Sequence, residues 1–178
     1  RFYNHGAVDP IALIRAIFVN IKSFEFKEGG STITQQLAKN IYFTQEKSAL
    51  RKIAEMFMAH EIEKNCDKDT ILELYLNTIY VGGEGNLHGV ELASRYYFNK
   101  SVGDLDLAEC AFLAGINNSP NKYNPYDSEK DHSELIKSRT LTVLKEMKSQ
   151  GYITNEDEYN AAVAKVEAGL TFKKGNTA

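Results

Sequence analysis

Tryptophan is absent from the 178 residues, proline occurs three times and cysteine twice. Prolines so few, all before residue 126, beside abundant Ala, Leu, Ile, Glu and Lys, disfavour a many-stranded sandwich and favour helices. Cys66 and Cys110 stand far apart in helix-like, mainly apolar contexts, which reads as two buried free thiols rather than a disulfide scaffold. No uninterrupted apolar run of about 18 residues occurs, and the opening RFYNHG is not a charged-then-apolar leader, so any membrane anchor is expected outside this chain. A basic excess is also lacking. The 21 Lys+Arg against 24 Asp+Glu leave a net charge of -3, which argues against a nucleic-acid partner, since a duplex binder concentrates positive charge on one face. His5, His60, His88 and His132 show no ligand spacing, and neither CxxC nor HExxH occurs, which argues against a structural metal.

What is present is ordinary for one soluble domain, with 43% hydrophobic and 25% charged residues. Asp9-Pro10 opens a helix, and Ile11, Ile14, Ile17, Phe18 and Ile21 recur at helical spacing, which predicts a buried face. A second amphipathic helix opens at Ser31-Thr32 with Ile33, Leu37 and Ile41 on one side, followed by a loop with Thr44 and Gln45. The pattern from Ser48 to about Asn65 is long and helical, with Ile53, Phe57 and Ile62 expected inward, and another helix starts around Asp67 to Asp69. VGGEGN, residues 81 to 86, is a turn. Helices follow at about 87 to 98 and, capped by Asp104, at 105 to 116. Residues 117 to 127 read as an irregular surface loop, 128 to 150 as a long helix, and Thr154-x-x-Asp157 as a capping box for a last helix that Gly169 ends.

The most unusual stretch is GGSTITQQLAKN, residues 29 to 40. Two glycines let the backbone approach a ligand, hydroxyls and amides follow, and a helix N-terminus adds unpaired N–H groups and a positive dipole end, a combination suited to an anion. In a helix beginning near Ser31, the side chains of Thr32, Gln36, Lys39 and Asn40 share one face, where Lys39 can meet a phosphate as a point charge. A plain capped surface helix accounts for the same residues. Lys47, Arg51 and Glu55 follow at four-residue spacing, which alone reads as a salt-bridge ladder on a wet helix face.

Taken together, these blocks resemble the peptidoglycan glycosyltransferase domain of family 51, found in class A penicillin-binding proteins and monofunctional glycosyltransferases. RFYNHGAVD resembles the end of the first family motif and GGSTITQQLAKN the second; RKIAEMFMAHEIEKN with KDTILELYLNTIYVG resembles the third, and the later blocks follow in order. The resemblance implies a mainly α, lysozyme-like helical domain with a small, partly apolar jaw lobe beside the active-site cleft. It implies a domain over residues 1–169, begun within its first motif, with 170–178 a linker or the start of a following domain.

The implied reaction is polymerisation of lipid II onto a growing β-1,4-linked glycan strand, by inversion, with release of undecaprenyl diphosphate. Partners are then lipid II, the strand and the membrane surface, with moenomycin as inhibitor. The implied place is the outer face of the bacterial cytoplasmic membrane, held by an upstream transmembrane helix. A diphosphate leaves readily, so the site needs cations and N–H donors rather than a proton donor. By resemblance Lys39 contacts the diphosphate, with Ser31, Thr32, Gln36 and Asn40 alongside, and Lys47 and Arg51 add positive charge. Glu55 matches the second glutamate of the catalytic cleft, acting directly or through a divalent cation, Mg2+ or Mn2+, with no organic cofactor. His5 and Phe2 match the cleft-lining end of the first motif. Ala7 stands where the family usually has glycine. The family's base is a glutamate in a Glu-Asp pair just before Arg-Phe-Tyr, and the sequence begins at Arg1, so the chain as given is expected to bind donor and turn over poorly. Two other readings are a lysozyme-like glycan-cleaving enzyme and a catalytically silent lipid II-docking module.

Overall fold

Short polar side chains set where the helices begin. Asp9 Oδ1 accepts from the N–H groups of Ile11 (3.0 Å) and Ala12 (3.1 Å) and opens α1, Pro10–Ser23. Thr32 caps α2, Ile33–Tyr42, and Ser48 caps α3, Ala49–Asn65, each accepting from a backbone N–H three residues on. Asp67 accepts from the Thr70 N–H and opens α4, Lys68–Thr78. Our computed structural model describes residues 2–23, 29–43 and 48–177, with backbone alone for 21–23, and these fall into two units divided between Thr78 and Ile79.

In the first unit α2 packs on both α3 and α4. Its inward face is Thr34, Gln35, Leu37 and Ala38, while Ile41 of the expected apolar stripe is exposed. The methyl of Ala7 joins Ala38 and Ala59 in a small cluster flanked by Met58 and Ile62, so a residue with a Cβ at position 7 is accommodated by packing. Two expectations fail here. The apolar face of α1 is not buried: Ile11, Ile14 and Ile17 are at least half exposed and Phe18 is 71% exposed, with Ala16 the buried residue of that helix; the Ile21 side chain lies outside the described residues. Likewise Ile53 and Phe57 of α3 point outward, with Phe57 71% exposed. Helical spacing fixes which side chains share a face, but not whether protein covers it.

The second unit opens with a hairpin, β1 Tyr80–Gly82 against β2 Leu87–His88, antiparallel and irregular between Tyr80 and Gly82. Its turn runs through positive φ at Gly82, Gly83, Gly85 and Asn86, and a Cβ at Gly82 would stand 2.9 Å from Pro120 Cβ, so glycine is required twice over. The helix expected from residue 87 starts later, because Leu87 and His88 are strand and Gly89 precedes α5, Val90–Phe98. Asp104 lies in a 3-10 turn, and the residue that caps α6, Leu107–Ile116, is Asp106 in a reciprocal box with Glu109. Helix α7, Ser133–Ser149, starts five residues later than expected, since residues 128 to 132 are irregular, with a bend at Ser128 and Glu129. Asn155, not Thr154, caps α8, Glu156–Ala168, which ends at Gly169.

Ala108, Ala111, Leu144, Ile153, Ala162 and Val166 form the core among α6, α7 and α8. Tyr97, Phe98, Phe112 and Tyr126 pack ring against ring nearby. The segment after Gly169 joins them. Phe172 packs on Phe98 and Phe112, and the N–H groups of Lys173 and Gly175 donate to the carbonyls of Tyr97 (3.0 Å) and Arg95 (3.1 Å). Both cysteines are free, but Cys66 is half-buried and Cys110 exposed, so neither is the core thiol expected. Among the described residues there are eight α-helices and one two-stranded sheet, the mainly α fold the composition implies.

One ion cluster in this unit makes stability depend on pH. Glu109, buried, accepts from Lys100 (2.8 Å) and from the Asp106 N–H, and Lys165 reaches both Asp106 and Glu109. Burial alone would raise both carboxyl pKa values, but Lys165 and the Glu109 N–H outweigh it at Asp106, and Lys100 with the Asp106 N–H outweigh it at Glu109, holding both below their ordinary 3.8 and 4.5. The folded state therefore gains stability from these groups above about pH 4.5, and loses it as pH falls through their lowered values. Thermal unfolding followed from about pH 7 to about pH 3 should show Tm falling below about pH 4.5, with a shallower fall in Lys165→Met. An unchanged slope in that variant would contradict the assignment.

Candidate active site

The residues at the head of α2 are fixed from both sides. Gly30 passes so close to α1 that a Cβ there would stand 3.1 Å from Leu13 Cα. Thr32, buried, accepts from the Gln35 N–H (3.2 Å) and donates to the Ala7 carbonyl (2.8 Å). Its hydroxyl thus builds the loop. Ser31, exposed next to it, has its Oγ 2.7 Å from Lys52 Nζ of α3.

Lys52 in turn donates to Glu55 Oε2 at 2.8 Å, and Arg51 Nε lies 2.9 Å from Glu55 Oε1. Glu55 is 2% exposed. Its contact with Arg51 is a charge contact rather than an aligned hydrogen bond. This geometry overturns the reading of the Arg51–Glu55 pair as a ladder in water, because a wet pair is worth a few tenths of a kcal/mol while a buried carboxylate needs compensation to exist at all. Ser31, Arg51, Lys52 and Glu55 therefore form one continuous polar chain from the N-terminus of α2 into α3.

A cavity of about 200 Å³ opens against the same helix end, between Phe2, His5 and Asp9 on one side and Gly30, Ser31 and Thr32 on the other. His5 Nδ1 lies 2.8 Å from the Gly6 carbonyl, and its Nε2 lies 3.8 Å from Asp9 Oδ2. Phe2 meets Tyr3 and His5 edge to face.

Of the remaining residues picked from sequence, Gln36 accepts from the Tyr75 hydroxyl of α4 (3.2 Å), Lys39 is half-buried in the last turn of α2, and Asn40 beside it is exposed. Lys47 lies outside the described residues. Among the described residues no group of three or more His, Cys, Asp or Glu side chains could hold a metal ion. Both Glu55 oxygens face cations, so the donor set as arranged does not fit Mg2+ or Mn2+ there. Sequence reading missed Lys52. The signal was available, since Lys52 stands three residues before Glu55 on one helix ridge.

Two cations and a hydroxyl beside a buried carboxylate, at the positive end of a helix, suit an anionic leaving group rather than a proton-donating acid. Comparison with known proteins gives the family. The Transglycosylase family profile matches residues 1–148. Penicillin-binding protein 1A of Aquifex aeolicus is 46% identical over 176 residues, 99% of this chain and 23% of that protein. Penicillin-binding protein 1F of Bacillus subtilis is 43% identical over 161 residues, 90% of this chain and 22% of that one. The crystal structure of penicillin-binding protein 1A from Haemophilus influenzae is similar at a TM-score of 0.51 and 29% identity, over 81% of this chain and 17% of that chain. The chain thus spans about a fifth of the length of the relatives it matches. With the profile reaching from residue 1 to residue 148 and the helical fold shared with a solved relative, the chain belongs to the transglycosylase family.

Proposed function

We propose that this domain polymerises lipid II into β-1,4-linked glycan with inversion, releasing undecaprenyl diphosphate at the outer face of the bacterial cytoplasmic membrane. The observation that carries this reading is the buried Glu55 carboxylate held between Arg51 and Lys52 and joined through Lys52 to Ser31. In it, Lys39 and Arg51 take the donor diphosphate, whose charge grows as the C1–O bond to the sugar breaks. Of the three donors on the Lys52 ammonium, two are used by Ser31 and Glu55, which leaves one for a phosphate oxygen. The acceptor 4-hydroxyl attacks C1 from the opposite face, and its proton goes to the family's base, which the resemblance places before Arg1. Glycan cleavage would instead call for a carboxylic acid giving a proton to the glycosidic oxygen, and Glu55 is engaged by two cations.

The membrane enters through the first unit. Ile11, Leu13, Ile14, Ile17 and Phe18 of α1 and Leu50, Ile53, Met56 and Phe57 of α3 are exposed apolar side chains, more than scattered surface residues explain. Among the described residues no helix is long and apolar enough to cross a membrane. These faces suit shallow contact with lipid, where a polyprenyl-linked donor resides.

Full-length protein given lipid II should form glycan polymer, and moenomycin should block it; no polymer under conditions that support a known relative would contradict the proposal. Lys39→Ala should weaken lipid II binding by about tenfold or more, the loss expected for one charged hydrogen bond, while Lys122→Ala in the second unit leaves it unchanged. Unaltered affinity in the Lys39 variant would refute its assignment. Glu55→Gln should abolish most polymerisation, and full activity would return the pair to a structural role. Phe18→Asp should lower affinity for anionic lipid vesicles by about tenfold, the scale of one buried aromatic side chain, as read by co-sedimentation.

A further inference from the structure

Lys68, at the first turn of α4, makes contacts that neither the ion-pair chain around Glu55 nor helix capping requires. Its ammonium donates to the His5 carbonyl at 2.6 Å and to Glu63 Oε1 at 2.7 Å, and it stands 4.6 Å from the centre of the Phe2 ring. Glu63 of α3 spends the same oxygen on a second donor, the hydroxyl of Thr34 at 2.5 Å, and Thr34 is fully buried two residues inside α2. Tyr3 adds a hydrogen bond to Asp69, the next residue of α4 (2.9 Å). Three helices thus converge on the segment from Phe2 to Asp9, and that segment is one wall of the 200 Å³ cavity whose other wall is the head of α2.

We propose that Lys68, with Glu63, is a positioning residue that fixes the Phe2–His5 wall against the head of α2 for glycosyl transfer. This inference rests on the reading of the site given above. Three features separate such a role from binding of the donor. The Lys68 charge is neutralised by Glu63, and both side chains are largely buried, so the pair presents little field to a diphosphate. Lys68 grips a backbone carbonyl, which holds the chain path whatever side chain stands at position 5. Thr34, reached through Glu63, lies on the same helix turn as Thr32, whose hydroxyl pins Ala7, so the wall is tied to α2 at two separate points. Loss of one tie leaves the other, and the wall shifts without the unit coming apart. A displacement of about 1 Å in a group aligned for reaction costs up to about a hundredfold in rate.

The test is the kinetics of lipid II polymerisation by full-length protein carrying Lys68→Met or Lys68→Arg, with Lys39→Ala alongside and thermal unfolding of each. In Lys68→Met, kcat should fall by about tenfold to a hundredfold while KM for lipid II changes less than about twofold, and Lys68→Arg should recover part of kcat. Unchanged kcat, a rise in KM alone, or equal loss in the Met and Arg variants would overturn the proposal. Should Lys68→Met fail to fold, Glu63→Gln serves, since it keeps the hydrogen-bonding shape and removes the charge: a fall in kcat at constant KM supports the clamp, and wild-type kinetics refutes it. Full binding and turnover in Lys39→Ala would instead refute the donor site itself, whatever the Lys68 variants do.

Discussion

A carboxylate removed from water costs several kcal/mol unless partners compensate it, and the buried Glu55 imposes that demand on everything around it. Arg51 and Lys52 meet it from the same helix, one turn back, so α3 must be helical through this stretch and correctly capped at Ser48. Lys52 can answer Glu55 and Ser31 together only if the head of α2 lies beside α3, which Thr32 and its bond to Ala7 arrange. The chemistry proposed for the site follows from the same constraint. Arg51, drawn in to hold the carboxylate, is largely withdrawn from water, and a cation so placed stabilises developing charge on a leaving diphosphate better than one in water does, while Lys52 stays half exposed at the rim.

The apolar faces of α1 and α3 carry the complementary lesson. Side chains such as Phe18 and Phe57, each 71% exposed, gain little from folding in water, so apolar area is left uncovered in the unit. On the function proposed above, contact with lipid covers it. On that same proposal, the exposed faces hold the site at the surface where a polyprenyl-linked donor resides.

Much of this was legible in the sequence, and the failures are instructive. Helix starts at Pro10, at Thr32 and at Ser48 could be read because a cap is a local bargain between one side chain and the next three backbone N–H groups. The choice of Asp106 over Asp104 as a cap was legible too but was misread, since only Asp106 has a glutamate three residues on, Glu109, to close a reciprocal box. Burial was the weakest inference. Period 3.6 grouped Ile11, Ile14 and Phe18 correctly on one face, but what covers a face is decided by the rest of the molecule or by its surroundings. At the site, Lys39, Arg51 and Glu55 stood out through motif and spacing, and the i,i+3 spacing of Lys52 to Glu55 was there to be read, whereas the Lys68–Glu63 pair emerges only from its contacts with α2 and the Phe2–Asp9 segment. Thr34 and Gln35, polar and buried in α2, belong to the same class.

The central claim is that the head of α2 and the Arg51–Lys52–Glu55 cluster form one pocket for a lipid-linked diphosphate sugar. A crystal structure of the protein bound to a non-hydrolysable lipid II analogue tests it most directly. The account predicts diphosphate oxygens within about 3 Å of Lys39 Nζ and of the Arg51 guanidinium, on the side where Lys52 meets Ser31. Diphosphate bound elsewhere, with the Lys39 ammonium directed away from Glu55, would contradict it.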